Sequence, residues 1–507
     1  MLTGPRTAER REYLPGGDGL FSSTPLRVNQ PSDIRRTVRV RVIFMIDRPT
    51  RIRRKQCRYQ TRLLCIIVAF GLLAACNDYD TILRSAWNQL RMSQREVDRP
   101  FVRRAVVDSI LQLGPSPQAR ELLEVAILDP DPVISIRALG VSRLFGLNKQ
   151  DQTGIILEKT HALDPFQRFE AWTALLKHPE PGTVTRAERE ALRDPHPFVR
   201  GMIACELLSH GVRESVPLAR DFILLDYYET PSGTEVSPVV SNQIDVQTKL
   251  NCLTRLSSLE KTETIDWAMR HSKRLVAEVQ QLKRRLALSL EKTTSFDPDR
   301  FQTLNTRWRA RLASMLLLSG FCEQSGSALA REIFLSELGS DDTTPTLMAL
   351  HLIGKLGLIQ LRGVVITSLV HSDWGIRAAA VRALPAVGNS HDIEMLQRFL
   401  RDDTLAVRME SALALCRLGS HAGDQLLRSA LFESKQGWRN QQLDWTVKTR
   451  IVQQLGQRGD MRSIVILHQA LLWIDPYSRV MAAKELLSAI NDKTNRVGLA
   501  SQTLTAL

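Results

Sequence analysis

One pattern recurs along the chain and limits what it can fold into. An Asp is followed four to six residues later by an Arg, Thr or Lys, and an aliphatic residue comes seven further on. Successive anchors are mostly 31 to 34 residues apart, with one interval of 40 and one of 146. A period near thirty with helical spacing inside each unit predicts a stacked helical solenoid. The nine anchors are Arg103, Arg137, Arg168, Arg200, Thr346, Arg377, Arg408, Lys448 and Arg479.

The unit that begins at Asp373 illustrates the pattern. Ile376, Ala380 and Leu384 lie at i, i+4 and i+8, which places them on one face of an amphipathic helix. Asp373 comes just before this helix, where a carboxylate caps the free amide groups of the first turn. A second apolar stretch follows Gly388. Because two short helices cannot bury their apolar faces alone, neighbouring units must stack.

The repeated Asp and Arg residues predict a ladder of charge-assisted hydrogen bonds across adjacent units. The predicted ladder residues are Asp98, Arg103, Asp131, Arg137, Asp164, Arg168, Asp194, Arg200, Asp373, Arg377, Asp403, Arg408, Asp475 and Arg479. With their Val-Arg or Ile-Arg steps, these units resemble the HEAT repeat, and in particular the short HEAT-like repeats of phycobilin lyases. The resemblance implies an all-α, alpha-alpha superhelix in which the Asp-to-Arg helix lines the concave surface.

The pattern also divides the chain into segments. Repeats are predicted over 95–215 and 341–490, and degenerate helical repeats over 216–340, where the turn-rich stretch 228–245 reads as an exposed loop. Residues 262–292 are predicted to form a longer basic amphipathic helix, either a solvated repeat helix or a membrane-surface helix. The remaining segments are an unpatterned extension at 1–44, a signal peptide at 45–75, a linker at 76–94 and a tail at 491–507.

A cationic stretch from Arg51 to Arg62 precedes an apolar run from Leu63 to Ala75, which ends in Leu-Ala-Ala-Cys at Cys76. A basic region, an apolar core and small residues before a Cys resemble a bacterial lipoprotein signal, which implies a lipidated Cys76. The apolar run is shorter than the ~20 residues that span a bilayer. We therefore expect a lipid-anchored protein of the cell envelope, on the outer-membrane or periplasmic side. Met45 is an alternative start, and a cytoplasmic tail is the other interpretation of 1–44.

The charge balance argues against a nucleic-acid partner. The chain has a formal net charge of +14, and most of this excess lies in residues 1–75, which the signal-peptide interpretation removes. The sequence contains no metal-binding His or Cys spacing, no phosphate-binding loop and no nucleophile motif, so it predicts no cofactor, metal, small-molecule substrate or catalytic residue. Cys205 and Cys416 are interpreted as buried thiols, and a Cys252–Cys322 disulfide is considered.

Three functions fit these observations. The first is a lipid-anchored scaffold that binds a partner protein, with Arg382, Arg417, Trp438 and Arg439 as candidate binding residues. The second is a structural envelope protein that binds peptidoglycan, polysaccharide or lipid. The third is an enzyme of the HEAT-like lyase or DNA-glycosylase kind. Those families have the fold that this pattern predicts, but the resemblance lies in the stacking residues and not in an active site. The sequence favours the scaffold, because that function needs only the repeats and the anchor.

Overall fold

The computed structural model describes residues 79–147, 152–177, 182–224, 238–291, 298–338, 343–389, 391–432 and 445–505. The chain divides into residues 1–70 and 71–507, and every described residue belongs to the second unit. All regular structure in these ranges is helical, as predicted. None of the described helices combines the length and apolar character needed to cross a bilayer.

The helices follow one another as pairs, an outer helix and then an inner one. The first helix, α1, covers 79–94 of the described residues. The others are α2 (Pro100–Leu113), α3 (Pro117–Ile127), α4 (Pro132–Val141), α5 (Gln152–Lys159), α6 (Pro165–Lys177), α7 (Thr183–Glu190), α8 (Pro197–Leu208), α9 (Val216–Leu224), α10 (Pro238–Leu259), α11 (Lys261–Glu291), α12 (Pro298–Gln324), α13 (Ala328–Leu338), α14 (Thr343–Leu356), α15 (Arg362–Ser368), α16 (Trp374–Val387), α17 (Asp392–Phe399), α18 (Leu405–Arg417), α19 (Asp424–Phe432), α20 (Trp445–Arg458), α21 (Met461–Trp473) and α22 (Pro476–Thr505).

The even-numbered helices form a continuous inner row. Each contacts the next along the whole series from α2 to α22, whereas few neighbouring outer helices among those described are in contact, chiefly α11 with α13 and α19 with α21. Closely spaced helices on one side and splayed helices on the other indicate a stack that curves toward its inner row. The family resemblance therefore assigned the Asp-to-Arg helices to the correct side.

The inner row closes on itself. Helix α22, the last of the row, packs against α2, the first. The rings of Phe101 and Tyr477 lie 6.3 Å apart across this junction, and the Tyr79 hydroxyl lies 4.0 Å from the sulfur of Met461. One hydrophobic cluster accordingly contains residues from both ends of the described chain, such as Ala86 and Ile490. The solenoid is a closed ring of helix pairs, which the repeat pattern did not predict.

The apolar positions of the repeat form the core. The aliphatic residue seven after the anchor is buried in eight of the nine units, and the exception is Leu144, which is 54% exposed. The buried ones are Ile110, Leu175, Leu207, Ile353, Leu384, Leu415, Leu455 and Leu486. The predicted amphipathic helix at 262–292 is α11, and its stripe of Leu275, Val279, Leu282 and Leu286 is buried against the neighbouring helices, chiefly α12.

Three segment predictions were wrong. The predicted linker at 76–94 is helical from 79, because Ile82, Ala86 and Leu90 form an apolar stripe that packs into the core. Residues 238–245 of the predicted loop belong to α10, which begins at Pro238 in the first-turn position that proline favours. The rest of that loop, from 228 to 237, lies outside the described residues. The predicted tail at 491–507 continues α22 as far as Thr505.

Candidate partner-binding site

The first turns of four inner helices carry an aromatic residue at the same place. Each follows a proline that occupies the first helical position, where its fixed φ suits the helix start. In ring order these residues are Tyr477 on α22, Phe101 on α2, Phe166 on α6 and Phe198 on α8, with Val133 at the equivalent place on α4. We call Tyr477, Phe101, Phe166 and Phe198 the aromatic arc.

The aromatic arc is packed and still open to solvent. Phe166 and Phe198 have ring centroids 5.4 Å apart, and Phe169 meets Phe198 edge-on at 5.5 Å. Phe101 is 57% exposed and Phe166 is 37% exposed. Large side chains that are held in place by aromatic neighbours, yet partly exposed, are typical anchors of a protein-binding surface.

A cluster of charged side chains lies beside the aromatic arc on the concave face. Arg104 on α2 donates to Glu170 on α6 over 2.8 Å, and Arg137 on α4 pairs with both Glu170 at 3.1 Å and Asp108 on α2 at 2.6 Å. The Arg104–Glu170 pair passes over α4, which is possible only across the concave side of a tightly curved row. Burial raises the pKa of Tyr477, as does the nearby Asp108 carboxylate, so the aromatic and charged groups adjoin.

A second charged cluster joins α16, α18 and α20, further along the inner row. Glu410 on α18, 7% exposed, accepts hydrogen bonds from Arg382 on α16 at 2.6 Å and from both terminal nitrogens of Arg450 on α20 at 2.7 and 2.6 Å. Burial alone would raise the pKa of Glu410, but the bonds and charges of Arg450 and Arg382 lower it to about 2. Burial lowers the pKa of His351 on α14 to about 4, assisted by Arg382, Lys355 and Arg450.

The predicted ladder exists between three pairs of described units. Two nitrogens of each Arg bind both carboxylate oxygens of an Asp 25 or 26 residues further on, at 2.7 to 3.1 Å. The pairs are Arg103–Asp129, Arg168–Asp194 and Arg377–Asp402. The hydrogen bonds that each Arg donates to its Asp raise the pKa of that Arg. A remaining nitrogen donates to backbone carbonyls just before the same helix, as Arg168 does to Ala162 and Leu163 at 2.9 Å.

Apart from Asp194, which was predicted, the acidic partners differ from those predicted. Asp131, Asp164, Asp373 and Asp475 instead accept hydrogen bonds from backbone amides in the first turn of the inner helix. The ladder carboxylate of Asp129, Asp194 or Asp402 lies two residues before the N-cap residue. Asp98 is exposed beside the N-cap residue Arg99, and Asp403 precedes the N-cap residue Thr404. Two acidic positions separated by two residues thus have two separate roles.

Arg137 is out of register with the other anchors. The anchor amide normally donates to the carbonyl of the N-cap residue four before it, as in Arg168, Arg200, Arg377, Arg408 and Arg479. In α4 the amide that donates to the N-cap carbonyl is that of Ser135, two residues before Arg137. Two positions along a helix turn a side chain by about 200°. That rotation explains why Arg137 reaches the concave charged cluster and why Leu144, seven residues after it, is exposed. The residue seven after Ser135 is Ser142, and it is buried like the aliphatic +7 residues of the other units.

The predicted binding residues fall into two groups. Arg382 is bound to Glu410, which gives it a structural role, and Arg417 is exposed at the end of α18. Trp438 and Arg439 lie outside the described residues, as does Cys76. The expected thiol at Cys205 is wrong, because Cys205 is linked to Cys252 with their Cα atoms 5.1 Å apart. Cys322 and Cys416 are buried free thiols whose pKa burial raises to about 12 and about 11.

The aromatic arc was missed in the sequence, although a signal for it was present. Pro-Phe or Pro-Tyr opens α2, α6, α8 and α22, and its recurrence in phase with the anchors could have been read as a surface feature. No group of His, Cys, Asp and Glu in the described ranges is arranged to hold a metal ion. The arrangement of the aromatic arc supports binding of another surface.

The stacked helix pairs with an inner row of Asp-to-Arg helices define an α-solenoid. Comparison with known families matches residues 332–416 and 363–443 to HEAT repeats. These matches identify HEAT repeats in residues 332–443, and the HEAT-repeat solenoid is a fold typical of protein-interaction scaffolds.

Two solved structures are similar to this chain. One is YibA of Escherichia coli, with 12% identity over 67% of this chain and 92% of YibA, at a TM-score of 0.26. The other is an engineered protein, with 14% identity over 80% of this chain and 98% of the engineered one, also at 0.26. Among curated proteins, none matches.

Proposed function

We propose that this protein is a lipid-anchored scaffold of the bacterial cell envelope, which binds a partner protein through its aromatic arc and acts by binding rather than catalysis. The observation that carries the proposal is the partial exposure of Phe101 and Phe166, whose rings belong to the aromatic arc beside the charged cluster of Arg104, Arg137 and Glu170. Exposed aromatic side chains next to Arg104 and Arg137 have the composition of a protein-binding hot spot. Mixed charges nearby suit a polar protein partner better than a polyanion.

The envelope location is supported by two independent features. The basic and apolar leader that ends at Cys76 resembles a lipoprotein signal. The Cys205–Cys252 disulfide suits an oxidising compartment, since such bonds are rare in the cytosol. Mass spectrometry of the native amino terminus tests this part of the proposal. An acylated Cys76 as first residue is the expected result, and an unmodified chain that begins at Met1 or Met45 would contradict the anchor.

The binding role is tested by co-purification from solubilised membranes. Phe101→Ser combined with Phe166→Ser removes the two most exposed rings of the aromatic arc. We expect capture of a specific protein by the wild type and a loss of affinity of about 30-fold or more in the variant, which corresponds to ~2 kcal/mol for a hot spot. Trp374→Ser is the matched control, because Trp374 is 53% exposed in the first turn of α16 and lies outside the aromatic arc.

Two results would redirect the proposal. Undiminished capture by the Phe101→Ser, Phe166→Ser variant, with unchanged helical content, would show that the aromatic arc is not the binding surface. Recovery of the cell-wall sacculus without a specific protein would favour a structural envelope protein that binds peptidoglycan.

A further inference from the structure

The junction where the ring closes carries a surface groove on its outer side. This groove of about 430 Å³ lies between α19 and α21, next to the place where Tyr79 of α1 touches Met461. We call it the seam groove, and its lining includes Asp424, Arg428, Met461, Arg462, Val465 and Ile466.

The seam groove combines apolar and cationic side chains. Met461 is 49% exposed and Val465 is 47% exposed, while Arg428 and Arg462 are exposed beside them. The acidic member, Asp424, is bound by both terminal nitrogens of Arg458 at 2.6 and 3.0 Å. The outward charge of the groove is therefore positive. Apolar side chains among Arg residues are the composition that contacts an anionic lipid surface.

The covalent chain supplies an independent reason for lipid at this place. Cys76 is three residues before Tyr79, and three extended residues span at most about 10 Å. If Cys76 is acylated, as the proposed function holds, its acyl chains enter the bilayer within that reach of Tyr79. The surface of the ring next to Tyr79 is then held at the membrane.

We propose that the seam groove is the membrane-contacting surface of the protein, with Met461 and Val465 entering the headgroup boundary and Arg428 and Arg462 binding anionic headgroups. This inference rests on the lipid anchor of the proposed function and adds an orientation to it. The ring docks by its closing junction. The aromatic arc lies on the inner row, whereas the seam groove lies between two outer helices.

A photo-cross-linking experiment tests the orientation. The full-length acylated protein, carrying a benzophenone side chain at Val465, is reconstituted into vesicles of phosphatidylethanolamine and phosphatidylglycerol and irradiated. We expect a mass increase of one phospholipid on the peptide that contains position 465. The matched control carries the same group at Leu335 of α13, which is 43% exposed on an outer helix distant in the ring order, and it should gain no lipid.

A charge variant tests the headgroup contact. Arg428→Glu with Arg462→Glu should lower the cross-linking yield at position 465, since each basic residue at an anionic surface changes the docked population by about fivefold. Replacement of phosphatidylglycerol by phosphatidylcholine should lower the yield of the parent protein in the same direction.

The failures of the two proposals are distinguishable. A protein that carries the acyl group and floats with the vesicles, but cross-links lipid equally or not at all from positions 465 and 335, overturns the seam-groove contact alone. A protein without acylation that does not float with the vesicles overturns the anchor, and the contact with it. Cross-linking from position 465 to another part of the same chain would show that the groove has an intramolecular occupant, which also overturns the contact.

Discussion

The contribution of the ladder can be isolated by two matched substitutions. Arg168→Met removes the bidentate pair with Asp194 and two bonds to backbone carbonyls, while the Met side chain preserves much of the packing. Arg200→Met removes only the equivalent two carbonyl bonds, to Asp194 and Pro195. The two variants therefore differ mainly by one buried ion pair.

The expected magnitudes follow from burial. The side chains of Arg168 and Asp194 are 11% and 5% exposed, so removal of the Arg leaves a buried carboxylate without its cation. Such a change costs about 3–5 kcal/mol. Loss of the two carbonyl bonds of Arg200, which is half-buried, costs about 1–2 kcal/mol. Because both variants lose two carbonyl bonds, we expect their free energies of unfolding to differ by the cost of the ion pair, about 3–5 kcal/mol.

Urea denaturation followed by circular dichroism measures the difference as a shift of the midpoint. A double-mutant cycle with Asp194→Asn gives the coupling energy between the two side chains. If Arg168→Met and Arg200→Met unfold at the same urea concentration, or if the coupling energy is near zero, the ladder does not stabilise the stack. The conclusion that these pairs join adjacent units would then be wrong.

Three further predictions concern stability. The free energy of unfolding should fall by up to ~3 kcal/mol as pH falls from about 6.5 to 4, because His351 takes up a proton in the unfolded chain but not in the folded one. Thermal melts of His351→Gln at several pH values should lack this part of the pH dependence. An unchanged profile would contradict the prediction. Cys252→Ser should lower the free energy of unfolding by about 4 kcal/mol, the value expected for a disulfide that closes a loop of 47 residues. Non-reducing peptide mapping of the wild type should show a peptide that contains the Cys205–Cys252 link. Gly354→Val should lower the free energy of unfolding by about 1–3 kcal/mol, because the added Cβ would lie 2.9 Å from a backbone atom of α16. Gly363→Val is the control, since a Cβ there meets nothing within 4 Å, and it should unfold nearly like the wild type.

Local pattern was sufficient to predict the helix pairs and most of their register. The +7 residues are buried wherever the anchor was assigned correctly, because a residue seven places along a helix returns to nearly the same face. Arg137 misled the assignment because α4 has both a Ser at the anchor position and an Arg two residues later. A pattern of residue types cannot tell these two apart, whereas the burial of Ser142 does.

Other features depend on contacts that no local pattern encodes. The closing contact between α2 and α22 is the sum of small rotations over the whole series, and no single unit determines it. The Cys205–Cys252 link required the spatial proximity of α8 and α10, which the irregular region between 216 and 340 concealed. In the unit of α4 the predicted ladder used the cap residue Asp131, since the sequence gives no indication of which of Asp129 and Asp131 points toward the preceding unit.

The closed row also affects how the protein can be made. Open solenoids acquire structure progressively from one end, each unit being covered as its neighbour appears. Here the apolar surface of α2 is covered in part by α22, which is synthesised long after it, so α2 remains partly uncovered until α22 has been made. The nascent chain therefore depends on protection from aggregation until α22 is available. Truncation there would expose the amino-terminal repeats, although they are remote in sequence.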